Sequence, residues 1–412
     1  MAAARHRTAL VLSGGGARGA YEAGVVAALA ERVIPQLPAD FEFDVVSGTS
    51  VGAIHAAYVA ASSGGDPASR GARLAQTWSE MELDDVFDLR LRDLYGIPLR
   101  ALGLRPLRRP TPGRARAETV GGLVDVAPLE RIVAERIPWS RLPANLERSR
   151  PGALCVSCTE VRSGKVTVFM DGPLADPGPW AFDPAARAIR AALGPLHVRA
   201  SAALPFLFPA VRIGTRYYVD GGLRMNTPLS PALRLGADRI VVVALKHDPA
   251  GEEPAFPEEA VTQPAFLIGK VFDALLLDQL ESELRRMQLV NAWIDRGTRA
   301  FGKEFLPRIN EAVRDQRGVG FRHVEVVVVR PSVDIGRIAA QSMRKRRARS
   351  LGLLPSLLAR GALSGVPENE ADLLSYLLFD KAFTGELVEL GRRDTLALEA
   401  PLLALLSGAG EV

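Results

Sequence analysis

Three stretches of this sequence hold side chains whose types and spacing suit nucleophilic chemistry at a carbonyl. The first is Gly48-Thr49-Ser50-Val51-Gly52, a G-x-S-x-G pattern. An apolar lead-in over residues 43–46 and an alanine-rich run over 53–61 predict a strand, a sharp turn and a helix around it. Such a turn pushes the serine hydroxyl out at the end of a sheet. Gly48 and Gly52 flank it because the two backbones crowd there, and a Cβ would clash or resist unusual dihedrals. The helix start at Val51 aims free N–H groups and a partial positive charge at any anion formed near Ser50. Taken without context, the same five residues also fit an ordinary Gly-Ser turn.

A serine is a poor nucleophile at its free pKa and needs a base within hydrogen-bond reach and donors for the oxyanion. The histidines are His6, His55, His197, His247 and His323, and none sits in a glycine-rich turn after a strand. His55 lies five residues past Ser50 on the same expected helix, about 140° around it. His247 and His323 have the chain order of an α/β-hydrolase triad, without a turn to aim them. Asp220-Gly221-Gly222 instead sets a carboxylate at the end of an expected strand, 216–219, with two glycines behind it that permit close approach to another loop. An aspartate can serve directly as base.

The donors have a candidate in Ser13-Gly14-Gly15-Gly16-Ala17-Arg18-Gly19. A short buried strand, 8–12, precedes it. A helix over about 20–33 follows, with Tyr21, Val25, Leu29 and Val33 at four-residue steps. Strand, glycine loop and helix turn loop N–H groups and a helix N-terminus toward one point, where an anion can sit. Gly14, Gly16 and Gly19 also spell G-x-G-x-x-G, the dinucleotide fingerprint, which is the basis of an alternative NAD(P)-binding oxidoreductase reading. That fingerprint wants an acidic residue ending the second strand. Here the serine turn ends it, with Asp40 before the strand and Asp44 inside it. A purely structural glycine turn is the third reading.

The remaining elements must position these stretches. Residues 66–95 read as helical, with Trp78, Met81, Val86 and Phe87 on one apolar side, and a helix runs through Val133. Segments 153–157 and 166–169 form a hairpin turned at Ser163-Gly164. Cys155-Val156-Ser157-Cys158 is a C-x-x-C on a strand, where positions three apart face opposite ways. It is not at a helix start that would lower a thiol pKa, so buried inert thiols are expected. Residues 185–192 read as a short helix. The small residues Ala200-Ser201-Ala202-Ala203, followed by Pro205 and Phe208, suggest a helix packed close to another backbone and then an apolar wall. Asn226-Thr227-Pro228 opens a helix ending near Gly236, and 239–245 is a fully buried strand. A linker at 256–263 leads to a long helical stretch over 265–297 and a buried strand over 323–329. A basic cluster follows at 342–349, then helices over 368–380 and 384–391 and an apolar tail.

Composition narrows the function classes. The chain has 412 residues, 48% of them hydrophobic, enough for one large domain or a domain with an appendage. A formal net charge of +4 implies no whole-protein nucleic-acid field, and aromatic residues do not interleave with basic ones as in single-strand binders. No apolar run nears the roughly 20 residues that span a bilayer, and the run after Arg7 is too short for a signal-peptide core. Two cysteines make no disulfide framework, so a reducing, cytoplasmic setting is expected. The segment 99–116 carries Arg100, Arg105, Arg108, Arg109, Arg114 and Arg116 and no acid. Such a run is ordinarily a solvated basic loop, and its functional reading is a patch that meets anionic lipid headgroups. A catalytically silent, membrane-associated scaffold would rest on this cluster and on 344–349.

Taken together, the ordered blocks Gly14–Gly19, Gly48–Gly52, Ala200-Ser201 with Pro205 and Phe208-Pro209, and Asp220-Gly221-Gly222 with Asn226 and Pro228 resemble the patatin-like phospholipases. The resemblance covers about residues 8–247, and segments 374–380 and 389–391 look like the tail of many bacterial members. It implies a three-layer α/β/α sandwich with a mixed, mostly parallel sheet. The catalytic domain would span 8–250, with 99–116 as a basic surface insert. A mostly helical extension, 256–412, would add its strand near 323–329 to the main sheet. The resemblance further implies an esterase acting on lipids or phospholipids through a Ser–Asp dyad, without metal or cofactor. Ser50 would be the nucleophile and Asp220 the base. The loop of Gly14, Gly15, Gly16, Arg18 and Gly19 would form the oxyanion hole, and Gly48 and Gly52 the nucleophile turn. Peripheral contact with an anionic membrane through the two arginine clusters fits this reading. The oxyanion loop, the hydroxyl and the carboxylate must then meet, although Ser50 and Asp220 are 170 residues apart in the chain.

Overall fold

Strands buried along their whole length need cover on both faces, and four of them form the centre of one sheet. The computed structural model describes residues 6–87, 119–122, 124–148, 151–205, 207–247, 279–347 and 372–408. Its strands are β1 (Thr8–Leu12), β2 (Val45–Thr49), β3 (Thr119–Val120), β4 (Ala153–Glu160), β5 (Val166–Asp171), β6 (Ala186–Arg190), β7 (Ala210–Ile213), β8 (Arg216–Asp220), β9 (Arg239–Val243) and β10 (Glu325–Val329). Every residue of β1, β2, β4 and β9 is buried. The order is β10-β9-β1-β2-β4-β8-β7-β3, with β5 on β4 and β6 on β5. From β10 to β4 neighbouring strands run parallel. β5 and β8 join β4 antiparallel, and β7 and β3 continue antiparallel. The sheet is therefore mixed and mostly parallel.

β4 decides how the site is assembled. β5 occupies one of its edges, leaving the other to two strands in succession. β2 runs along Ala153 to Ser157 and ends with Thr49 opposite Ser157. β8 comes from the other direction along Glu160 to Cys158 and ends with Asp220 opposite Cys158. Two strand ends thus point at each other across adjacent β4 residues.

Helices cover both faces. They are α1 (Gly19–Ala28), α2 (Val51–Ser62), α3 (Pro67–Ser79), α4 (Leu83–Val86), α5 (Ala127–Arg136), α6 (Leu142–Glu147) and α7 (Pro195–Ser201), then α8 (Leu229–Arg234), α9 (Gln279–Phe301), α10 (Phe305–Arg317) and α11 (Ile335–Arg347). The chain closes with α12 (Asp372–Leu377), α13 (Lys381–Ala397) and α14 (Glu399–Ser407). Leu10 and Leu12 of β1 face a core with α1, α2 and α3, whereas Ala9 and Val11 face a second core with α8 and the start of α9. The period-2 alternation of the strand sorts them. α2 is embedded because its alanines at 53, 56, 57, 60 and 61 let the sheet and neighbouring helices come close. The C-terminal helix α13 lies against α1, and a Cβ on Gly24 or on Gly391 would overlap the backbone of the facing helix. That close crossing is possible only for glycine. Among the described residues no helix is long and apolar enough to cross a membrane.

Several sequence expectations change. The helix expected over 185–192 is absent, and Ala186–Arg190 within it form the strand β6, parallel to β5. Asp183 accepts from the amides of Ala185 and Ala186, and Arg187 donates to Thr167. Tertiary pairing along the free edge of β5 outweighs alanine's helix preference. The strand expected at 323–329 is β10 at the edge of the sheet, where Val329 is buried but Glu325 is exposed. The helix expected over 20–33 is α1 followed by a π-helical turn, Leu29–Val33. The apolar tail is α14, with Leu402, Leu405 and Leu406 buried. The basic segment 99–116, the linker 256–263 and the first part of the 265–297 stretch lie outside the described residues.

Candidate active site

Ser50 sits at the turn between β2 and α2 with φ 55° and ψ −124°, the one non-glycine residue with positive φ among the described residues. A side chain in that region is strained, and the surroundings must hold it. The crowding expected at the flanking glycines is present: a Cβ on Gly48 would overlap the Gly52 carbonyl oxygen, and one on Gly52 the Leu12 carbonyl oxygen. The Ser50 amide donates to Ser201 Oγ at 2.9 Å, and Ser201 Oγ donates to the Ser157 carbonyl at 2.6 Å. The strained turn is thereby tied to α7 and β4.

Because β2 and β8 end head to head, Ser50 Oγ donates to Asp220 Oδ2 at 2.6 Å. The other carboxylate oxygen accepts from the Gly222 amide at 2.7 Å. Asp220 is 1% exposed. Burial pushes its pKa from 3.8 up to about 6, and the hydrogen bonds from Ser50 and Gly222 oppose that rise. Gly221 packs against the Ser157 carbonyl where a Cβ could not fit, so the glycine after the aspartate does permit the close approach.

The glycine loop runs beside the same point. The Gly14 amide donates to the Asn226 carbonyl at 3.1 Å, and Asn226 Nδ2 returns a bond to the Gly14 carbonyl at 3.0 Å. A Cβ on Gly14 would touch Ser50 Cβ, at 3.0 Å. Gly15 and Gly16 open a short 3₁₀ turn over Gly16–Arg18, where a helix start leaves its first amides without intrahelical acceptors. Gly16 has φ 56°, and a Cβ there would overlap the Tyr376 carbonyl oxygen. Met225, Thr227 and Pro228 fasten the underside: Thr49 Oγ1 donates to the Met225 carbonyl, Ser47 Oγ to the Pro228 carbonyl, and Ser13 Oγ is bonded to Thr227 Oγ1.

Arg18 is buried, and its Nε donates to Ser375 Oγ at 2.7 Å while the guanidinium covers the Tyr376 ring at 4.3 Å. Gly19 lies against Val51 and Trp78. The histidines are engaged elsewhere. His6 meets Asp238, His55 meets Glu22, His197 Nδ1 accepts from the Gly194 amide, His247 Nδ1 bonds the Pro331 carbonyl, and His323 faces Asp295. Asp44, weighed for ribose binding, accepts from Thr8 N and Oγ1 and so staples β2 to β1.

An apolar cavity opens on Ser50 and Gly16. Val51, Ile54, Trp78, Met81, Leu204 and Phe208 form much of its wall, with Tyr376, Leu377 and Phe379 closing one side. Of the apolar side expected for Trp78, Met81, Val86 and Phe87, the first three line this cavity, and Phe87 is buried with its ring 6.1 Å from that of Phe208. Both cysteines are buried and free. Burial pushes the Cys155 thiol up to about 12 and, with the Asp220 charge beside it, raises Cys158 as well. Among the described residues no group of three side chains is arranged to hold a metal ion.

The roles of Ser201, Ser375 and Tyr376 in fastening the turn and loop had no local signal, since each acts on a residue at least 150 positions away. Glu22 did leave one, as an acid inside the apolar run Ala20-Tyr21-Glu22-Ala23-Gly24-Val25.

No curated protein matches the chain. Similar solved structures include VipD from Legionella pneumophila, at 16% identity over 94% of this chain and 67% of that one, TM-score 0.34. Another is human GIVD cytosolic phospholipase A2 in complex with methyl gamma-linolenyl fluorophosphonate, at 14% identity over 98% of this chain and 59% of that one, TM-score 0.40. The chain thus spans about three fifths of the length of the human protein. The family model described as patatin-like phospholipase matches residues 10–233. That match is more than half of the chain and takes in the glycine loop, Ser50 and Asp220, so the chain belongs to the patatin-like phospholipase family.

Proposed function

We propose that this protein is a serine acyl hydrolase that cleaves carboxylic ester bonds of lipids, phospholipids among them. In this reading Ser50 is the nucleophile, Asp220 the base, and the loop Gly14–Gly19 the oxyanion hole, chiefly through the amides of Gly15 and Gly16. The observation that carries the proposal is the 2.6 Å hydrogen bond from Ser50 Oγ to a buried carboxylate, beside a cavity lined almost wholly by apolar side chains.

The chemistry runs in two halves. Asp220 takes the Ser50 proton as Oγ attacks the ester carbonyl, and the tetrahedral oxyanion draws on the loop amides, at about 3–4 kcal/mol for each donor. Asp220 returns the proton to the leaving alcohol. Water then enters, gives a proton to Asp220 and attacks the acyl–serine, and the fatty acid leaves as Ser50 regains its proton. A carboxylate with a pKa of about 6 is a stronger base than an exposed aspartate yet is ionised at neutral pH, the compromise general-base catalysis favours. The Ser50 amide is committed to Ser201 and is therefore not itself an oxyanion donor. Arg18, turned toward Ser375 and Tyr376, acts in this reading as a brace of the loop.

A fluorophosphonate probe and a short p-nitrophenyl ester test the proposal. The wild-type protein labels at Ser50 and turns over the ester, and Ser50→Ala and Asp220→Asn each lower turnover by roughly 10⁴. Near-full activity in Asp220→Asn with loss in His247→Ala would refute the dyad. Absence of labelling with arginine-dependent liposome binding would favour the silent scaffold, and a rise in Tm with NAD(P) the dinucleotide reading.

A further inference from the structure

Glu22 on α1 and His55 on α2 are both at 0% exposure, and Glu22 Oε2 meets His55 Nδ1 at 2.6 Å. Neither takes part in the steps above. The second carboxylate oxygen accepts from the Ser13 amide at 2.8 Å, the residue directly before Gly14. One carboxylate thus bridges the two ends of the glycine loop and reaches the helix that begins at Ser50. The imidazole in turn meets the Trp78 ring edge-to-face, with centroids 4.9 Å apart, and Trp78 lines the cavity.

A structural role alone accounts poorly for this choice of residues. Well-packed apolar side chains of similar volume are often as stabilising as a buried ion pair or more so. Here the pair also leaves His55 Nε2 buried without a hydrogen-bond partner, a further penalty. The hydrogen-bonded pair instead supplies direction. A glycine-rich loop has weak backbone preferences of its own, so its amides keep a set distance from Ser50 Oγ only if external groups fix them. Asn226 and Tyr376 fix the loop from two sides, and Glu22 from a third.

We infer that Glu22 and His55 are positioning residues that lock the oxyanion loop to the nucleophile-bearing helix. The inference rests on the hydrolase reading for its kinetic consequence, but not for its structural one. Misplacement by about 1 Å can lower a rate by 10²-fold. In Glu22→Ala, kcat per fluorophosphonate-titrated site should fall about 10- to 100-fold with KM within about twofold, because the cavity that binds the acyl chain is intact. Glu22→Gln, which keeps an acceptor for the Ser13 amide and a partner for His55, should recover most of that loss. His55→Ala should give a smaller fall in the same direction.

Amide hydrogen exchange over residues 13–19 gives a readout independent of activity. Exchange should rise in Glu22→Ala and stay near wild-type in Glu22→Gln. A pair that only stabilises the fold would lower Tm and the number of titratable sites but leave kcat per site and loop exchange unchanged, and that result would overturn the inference. If Glu22→Ala does not fold, His55→Ala carries the same two measurements, and unchanged values there overturn it equally. A wild-type protein that neither labels nor hydrolyses esters defeats the hydrolase reading, and loop exchange then decides on the pair alone.

Discussion

Replacing Asp220 by asparagine should yield a protein that is more stable and almost inactive. The magnitude follows from the raised pKa. The native carboxyl titrates near 6 rather than 3.8, with burial as the main cause. At about 1.4 kcal/mol per tenfold, that interval is worth about 3 kcal/mol. The sign follows from linkage: a native pKa above the unfolded one means that the folded state holds the proton more tightly. The contribution of this group to stability is therefore full below about pH 4, is lost as pH rises through about 6, and stays lost above it. Asparagine remains neutral throughout and keeps an oxygen for the Gly222 amide, but it cannot accept the Ser50 proton. Urea unfolding of both proteins from pH 4 to pH 8 should show a stability difference growing to as much as about 3 kcal/mol in favour of Asp220→Asn, with little at pH 4. Other titrating groups are common to both proteins and cancel. Wild-type kcat/KM should fall below about pH 6 as Asp220 protonates, while the variant stays near background at every pH. A difference that is flat with pH, or an Asn variant less stable at pH 8, would refute the reasoning that links burial of this carboxylate to its strength as a base.

Further expectations concern the surroundings of the dyad. Ser201→Ala removes the acceptor of the Ser50 amide and a donor to Ser157; it should lower stability by about 1–3 kcal/mol and turnover by more than Ser50 labelling, as read by urea melts and steady-state kinetics. Gly52→Ala drives a Cβ into the Leu12 carbonyl oxygen, a backbone atom of a central strand that cannot yield, so a loss of about 3 kcal/mol or more is expected in the same melts. Cys155 and Cys158 are fully buried with raised thiol pKa values and should resist a thiol reagent such as DTNB in the native protein, both reacting once urea unfolds it.

Much of the candidate site was legible in the sequence because its requirements are local. A strand, a turn between two glycines and a helix are specified by neighbouring residues, so Ser50 could be read from ten positions. The glycine loop and the Asp-Gly-Gly turn were legible for the same reason, as were the buried runs of β1 and β9. Residues 185–192 were not, because alanine and arginine favour a helix locally and only the open edge of β5 makes them a strand. Ser201, which holds the serine turn, and Tyr376, which meets the loop, act on partners far along the chain and leave no periodic pattern, whereas Glu22 shows only as an acid in an apolar run. Neighbouring residues in the chain specify the candidate nucleophile, carboxylate and loop and the turns that present them. The tertiary structure alone decided that they meet, because β4 is eight residues long and has room on one edge for the ends of both β2 and β8. Which strands share an edge depends on the burial of whole faces against one another, a property of the assembled sheet that no stretch of sequence contains.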